Sequence, residues 1–214
     1  MRILILLPFF FIYLTGQAQN PVNEYYKEMK DGTYKDYYKN GQLRIQYIIK
    51  NGNADSTHLF YYKNGQLKSS TNFDNGHFHG TNTEYNEKGD TTIIEKYRND
   101  TLLVYKQMTY YPSGQLKYEQ IRIFPTDSKS NPFLKSATNE INLIVKYDLN
   151  KSIKELPNTA TVRKYHKNSN LKSLSYTVNN VLEGVFEYYD KNGQPTKTET
   201  WKKGKKLVNI IYIL

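Results

Sequence analysis

Two histidines flank a phenylalanine in "NGHFHG", at His77 and His79. On a strand, a spacing of two places both rings on one face, and with His58 they could gather a metal ion. Zinc and its relatives need three or four ligands braced by further partners, and nothing in the spacing fixes a third. The pair reads instead as surface histidines beside the Gly76 and Gly80 turn, and no metal site is expected. Glu187 with Asp190, or Glu84 with Glu87, could form a glycosidase pair, but that chemistry needs two carboxylates a defined distance apart in a cleft. Here the same slots recur along the chain as solvent-facing strand positions. No G-x-S-x-G elbow occurs, and no glycine-rich phosphate loop opens a helix. The expectation is a protein that is not an enzyme and carries no cofactor. Basic residues interleave with aromatics in "KYHKNSNLK" (164–172) and "WKKGKKL" (201–207), as in single-strand binders. The same rings recur where a core must form, so these read as hairpin turns with solvated lysines, and no nucleic-acid partner is expected.

The elements that hold these residues follow from composition and repetition. The chain has 214 residues and no cysteine, which excludes disulfides, thiolate catalysis and Cys-ligated zinc. Tyr occurs 21 times, against nine Phe and one Trp; each ring can bury a large apolar area while its hydroxyl reaches the edge of the core. Tyr, Thr, Ile and Val favour strands, so a helix-rich fold is not expected. The net charge is +10. It could suit anionic surfaces, although Lys falls mostly beside turns and on alternating strand positions, where it solubilises a face.

Arg2, an apolar run from Ile3 to Leu14 and the small residues near Gly16 and Ala18 have the pattern of a signal peptide over residues 1–18. The run is too short to span a bilayer, where ~20 apolar residues are needed. No transmembrane span remains after its removal, so the expectation is an exported protein: periplasmic, outer-envelope associated or secreted. A buried amino-terminal helix is the alternative.

"YYKNGQL" stands at residues 37–43 and again, letter for letter, at 61–67. Taking the glycine as origin, Gly41, Gly65, Gly89, Gly114 and Gly193 align, with Ser169 in the same slot; the spacings are 24, 24, 25, 55 and 24. Four residues before each origin stands Tyr37, Tyr61, Tyr85, Tyr110, Tyr165 and Tyr189. Two residues after it come Leu43, Leu67, Leu116 and Leu171, with Thr91 and Pro195 as exceptions. A second turn slot lies 11 residues on, at Gly52, Gly76 and Gly204, with Asp100, Asn180 and Pro125 in the same place. All are residues that tolerate or enforce turns. Between the slots run segments of strand length, and Asn-Gly pairs favour the tightest hairpin turns. Alternation puts Leu43, Ile45, Tyr47 and Ile49 on one face, which a lone hairpin cannot bury, so neighbouring hairpins must stack.

The fold expected is all-β: an elongated antiparallel sheet of tandem hairpins about 24 residues long, its tyrosines and leucines in the core and its glycines at the bends. A dozen strands ~4.8 Å apart would extend roughly 50–60 Å. Repeats occupy residues 19–125 and 161–214, the latter closing in a C-terminal strand. Residues 126–160 are a degenerate repeat with an insertion, or a lid over the sheet, and the least repetitive surface is where specificity of its own could lie.

"DNGHFHGTNTEYNEKG" (74–89) and "NNVLEGVFEYYDKNG" (179–193) resemble the MORN-repeat-variant family, a group often labelled YwqK-type antitoxins. The shared pattern is a turn glycine, a second glycine, an aromatic and a further turn glycine, carried by Gly80–Tyr85–Gly89, Gly184–Tyr189–Gly193 and Gly32–Tyr37–Gly41; Ser56 and Val104 depart from it. The resemblance implies a MORN-like hairpin array acting as a scaffold for other proteins, with anionic lipid as a second class of partner. Three functions are therefore expected in order: an exported, non-catalytic scaffold that binds a protein or a cell-envelope surface, a binder of anionic lipid or polysaccharide, and an antitoxin or immunity partner of a toxin.

Overall fold

Alternating bends and β-formers produce one hairpin after another. The computed structural model describes residues 26–124 and 159–211. The first block holds β1 (Gly32–Tyr37), β2 (Leu43–Lys50), β3 (Asn53–Tyr61), β4 (Leu67–Asp74), β5 (His77–Phe78), β6 (Gly80–Tyr85), β7 (Thr91–Arg98), β8 (Thr101–Tyr110) and β9 (Leu116–Ile123). The second holds β10 (Thr159–Tyr165), β11 (Leu171–Val178), β12 (Val181–Leu182), β13 (Gly184–Tyr189), β14 (Pro195–Lys202) and β15 (Lys205–Ile211). All join one antiparallel sheet in chain order, with the short β5 and β12 paired to β4 and β11 beside the main path. Each strand therefore pairs only with its neighbours, as in other repeat arrays.

The two margins of the sheet bend differently. At the first margin, the Tyr38 N–H donates to the Gln42 carbonyl at 2.8 Å and the Gly41 N–H to the Tyr38 carbonyl at 3.0 Å. Gly41 has φ 83°, while Asn40 is absent from the left-handed residues. This is the longer hairpin bend, a right-handed turn closed by one left-handed residue and a bulge, with a register shift between Asp36 and Tyr37. The expectation of tight Asn-Gly turns at this margin is thus corrected. Tight turns with positive φ at both central residues lie at the second margin: Asn51–Gly52, Asn75–Gly76, Asn99–Asp100, Asn179–Asn180 and Lys203–Gly204.

The spacing of 55 is a break in the sequence and not in the sheet. Thr159 pairs with Ile123, and the register runs unbroken to Lys164 opposite Tyr118. Strand β10 also takes Thr159 and Ala160, two residues assigned above to the interruption. The signal-peptide assignment at 1–18 and the rest of the 126–160 segment lie outside the described residues.

Burial concentrates at the β1 end, where Tyr26, Ile45, Tyr47, Ile49 and Ala54 form a core with Met29, Tyr34, Phe60 and Phe73 packed against it. A file of rings crosses the strands. Tyr34 stacks on Tyr47 with centroids 5.3 Å apart, and Tyr47–His58, His58–Phe73, Phe73–Phe78 and Phe78–Tyr97 follow at 5.7, 4.6, 5.0 and 5.2 Å. Farther along, buried side chains are sparse, chiefly Leu103, Met108, Ala160 and Phe186. Leu43, Leu67, Leu116 and Leu171 are half-buried, as are five of the six aligned tyrosines. Tyr37 is 53% exposed, because among the described residues β1 is the first strand and no earlier rung covers it. Ile45, Tyr47 and Ile49 are therefore buried, while none of the tyrosines before the bends is.

Candidate interaction surface

The aligned tyrosines matter through their backbones. The residue after four of the six reaches into the next repeat: the Tyr38 hydroxyl donates to the Tyr61 carbonyl and the Tyr62 hydroxyl to the Tyr85 carbonyl, both at 2.7 Å. Tyr111 donates to the Tyr165 carbonyl at 2.8 Å, and His166 bonds from Nε2 to the Tyr189 carbonyl at 3.0 Å. Asn86 occupies this slot in the third repeat and turns its amide to Asp90 instead, at 2.9 Å. Tyr110 there bonds back to the Thr91 carbonyl at 2.6 Å. The Asn before the bend origin adds a second stitch in three of the bends. Asn40 Nδ2 donates to the Lys63 carbonyl at 3.0 Å, Asn64 to Glu87 at 3.1 Å and Asn168 to Lys191 at 2.6 Å. Sequence reading missed both roles, although Tyr38 and Tyr62 recur within the doubled heptapeptide itself.

The residues with chemical potential are occupied by the fold. His58 is 2% exposed and bonds the Ile48 carbonyl at 3.1 Å; burial, partly offset by that bond, pulls its pKa below the ordinary value. His77 Nδ1 meets Asp100 Oδ2 at 2.6 Å and His79 Nδ1 meets Asn99 Oδ1 at 3.2 Å, both at the second margin. The three histidines are therefore not gathered, and among the described residues no three His, Asp or Glu side chains group as metal ligands. Glu187 accepts from the Tyr189 hydroxyl at 3.1 Å, while Asp190 caps the Asn192 and Gln194 amides at 2.8 and 2.9 Å. Glu87 lies in a bend, and burial raises the pKa of Glu84, with Lys68 working against it. Ser169 and Lys172 stand at Ser-x-x-Lys spacing, but Ser169 sits left-handed in a hairpin bend, φ 69°.

Two nearly buried carboxylates escaped sequence reading. Glu119, 8% exposed, holds Lys106 at 2.8 Å and Arg163 at 2.9 Å. Glu199, 6% exposed, accepts from Lys197 at 2.8 Å, the Tyr188 hydroxyl at 3.0 Å and Trp201 Nε1 at 3.2 Å. The Lys197 ammonium dominates, against the opposing effect of burial, and takes the Glu199 pKa down to about 2. Register offered a clue, since Glu199 and Glu95 stand six residues after their bend origins, in the slot that buried Tyr47 fills. At Glu95, by contrast, burial dominates and raises the pKa.

What remains for contact is the outer surface. Lys39, Lys63, Lys167 and Lys191 occupy one exposed slot of successive first-margin bends, interrupted by Glu87 and Pro112. Lys68 lies over the Tyr62 ring at 5.8 Å, Lys117 over Tyr111 at 5.9 Å and Lys197 over Tyr188 at 4.3 Å, distances at which ammonium and ring attract. Among the described residues no helix is long and apolar enough to cross a membrane.

A ladder of hairpins with this period defines a β-repeat protein. Residues 30–51, 55–75, 106–121 and 182–203 match the family described as MORN repeat variant, and the chain carries repeats of that family. No curated protein matches the chain.

Proposed function

We propose that this protein is an exported, non-catalytic scaffold whose sheet binds a partner protein or a cell-envelope surface. The observation that carries this reading is the ladder itself: a regular surface across the thirteen strands of the main path, whose His, Asp and Glu candidates for chemistry are taken up by turns, caps and ion pairs. Repeat arrays use such extended surfaces for recognition. The amino-terminal run of residues 1–18 supports export. The test is capture from envelope extract with the purified protein as bait. A partner retained saturably and competed off by free protein supports the reading; no saturable partner ends it.

A second reading rests on Lys39, Lys63, Lys167 and Lys191. Cations repeated along one margin suit an anionic lipid or polysaccharide surface. Such binding weakens steeply from low to physiological salt, because exposed charges are screened. Co-sedimentation with phosphatidylglycerol vesicles that ignores salt and lipid charge would remove it.

A further inference from the structure

The two ends of the sheet are finished differently. At the β1 end, Tyr26 and Met29 pack against the core. The Tyr34 hydroxyl bonds the Lys30 carbonyl and Asp31 caps the Asn51 amide, both at 2.7 Å. Residues ahead of the first strand thus close over it. At the other end the strand order stops at β15, where Leu207, Val208 and Ile210 are 59%, 47% and 50% exposed. Val208 pairs with Thr200, and Thr200 with Val185, itself 45% exposed. Paired residues share a face, so Val185, Thr200 and Val208 lie in one file, and among the described residues no strand follows β15.

Charge marks the same place. Lys202 and Lys205 stand directly opposite each other across the last hairpin. Among the described residues neither they nor Lys203 joins an ion pair, while Lys206 leans on Glu199 at 3.5 Å. Like charges in direct cross-strand register are destabilising, and an incoming carboxylate relieves them. A last strand also offers unpaired backbone N–H and C=O groups, which natural sheets blunt with short or charged edges. Strand β1 follows that rule with Lys35 and Asp36. In β15 the five residues after Lys206 carry no charge.

We propose that β15 is a docking edge for an extended acidic segment of a partner protein, added as one more antiparallel strand. Its backbone pairs with β15, its apolar side chains lie beside Val208 and Ile210, and its carboxylates meet Lys205 and Lys202. This is recognition by strand addition, and it rests on the scaffold reading above. A second copy of this chain fits less well. Its own β15 holds no acidic residue to answer the lysines, and each copy is strongly cationic, the full chain carrying a net charge of +10.

The test uses the purified protein and two synthetic octapeptides of alternating valine and threonine, one ending in two glutamates and the other in two lysines. Backbone hydrogen exchange is followed at residues 205–211. The glutamate peptide is expected to slow exchange there, and Lys205→Glu to weaken it about fivefold while improving the lysine peptide, since a cross-strand charge pair is worth up to about 1 kcal/mol. Lys205→Glu also removes the Lys202–Lys205 repulsion, so loss of fold does not confuse the result. No slowing at millimolar peptide, equal effects of both peptides, or slowing confined to other strands overturns the proposal. So does concentration-dependent slowing in the protein alone, which marks self-pairing. An envelope partner captured equally by the native protein and by Lys205→Glu removes the edge but keeps the scaffold, whereas capture by neither removes the scaffold.

Discussion

The Tyr62 hydroxyl donates to the carbonyl oxygen of Tyr85 at 2.7 Å, across 23 residues of chain. It links the first-margin bends of two successive repeats through a side chain, where no strand ladder reaches. Tyr62→Phe keeps the ring and removes only that bond, so the expected cost is about 1 kcal/mol. For a chain of this size, the midpoint of a circular-dichroism melt should fall by roughly 2–4 °C. An unchanged midpoint would mean that water serves the Tyr85 carbonyl equally well.

Ser169 does with a side chain what Gly41, Gly65, Gly89, Gly114 and Gly193 do without one. Its φ of 69° lies in the left-handed region, like the glycines' values of 83–90°. That conformation costs an L-residue roughly 1–2 kcal/mol, partly offset in glycine by its greater freedom when unfolded. Ser169→Gly should therefore stabilise by about 0.5–1 kcal/mol in urea denaturation, and Gly65→Ala should destabilise.

Glu119 stands between two cations, 2.8 Å from Lys106 and 2.9 Å from Arg163. Removing one member of a nearly buried ion cluster leaves uncompensated charge, at a cost of about 3 kcal/mol. Glu119→Gln is expected to lower the urea midpoint clearly. Glu87→Gln, in an exposed bend, should leave it within the scatter of surface substitutions, about 0.5 kcal/mol.

Acid should loosen the C-terminal end through Glu199. Its folded pKa of about 2 lies below the ordinary 4.5. The stability it contributes is therefore complete above the ordinary value and is lost as pH falls toward 2. Melts between pH 6 and pH 2 should show a decline that is shallower in Glu199→Gln. Equal slopes would count against the Lys197–Glu199 pairing.

Much of the scaffold was legible in the letters. Period-2 alternation marked Ile45, Tyr47 and Ile49, and the recurring glycines marked both sets of bends, because strands and turns are local properties. Three features were not local. The role of Tyr38 and Tyr62 depends on which carbonyl of the next rung lies within reach, and that is set by sheet register. The difference between the two margins depends on φ at the residue before the glycine, and Asn40 and Asn51 look alike in sequence. Tyr37 matches its five counterparts in type and slot, but only its position on the first strand leaves it exposed. The buried carboxylates were hidden for a related reason: an acidic residue on a strand reads as solvent-facing until Lys106, Arg163 or Lys197 is seen beside it.

The pairing of Thr159 with Ile123 also bears on how such a protein changes over generations. The two pair directly although 35 residues separate them in the chain. A chain built this way can accept foreign sequence at a hairpin tip, or gain and lose whole units, without renegotiating the rest of its architecture. Novelty can be spliced in at the rim while the frame is inherited unchanged.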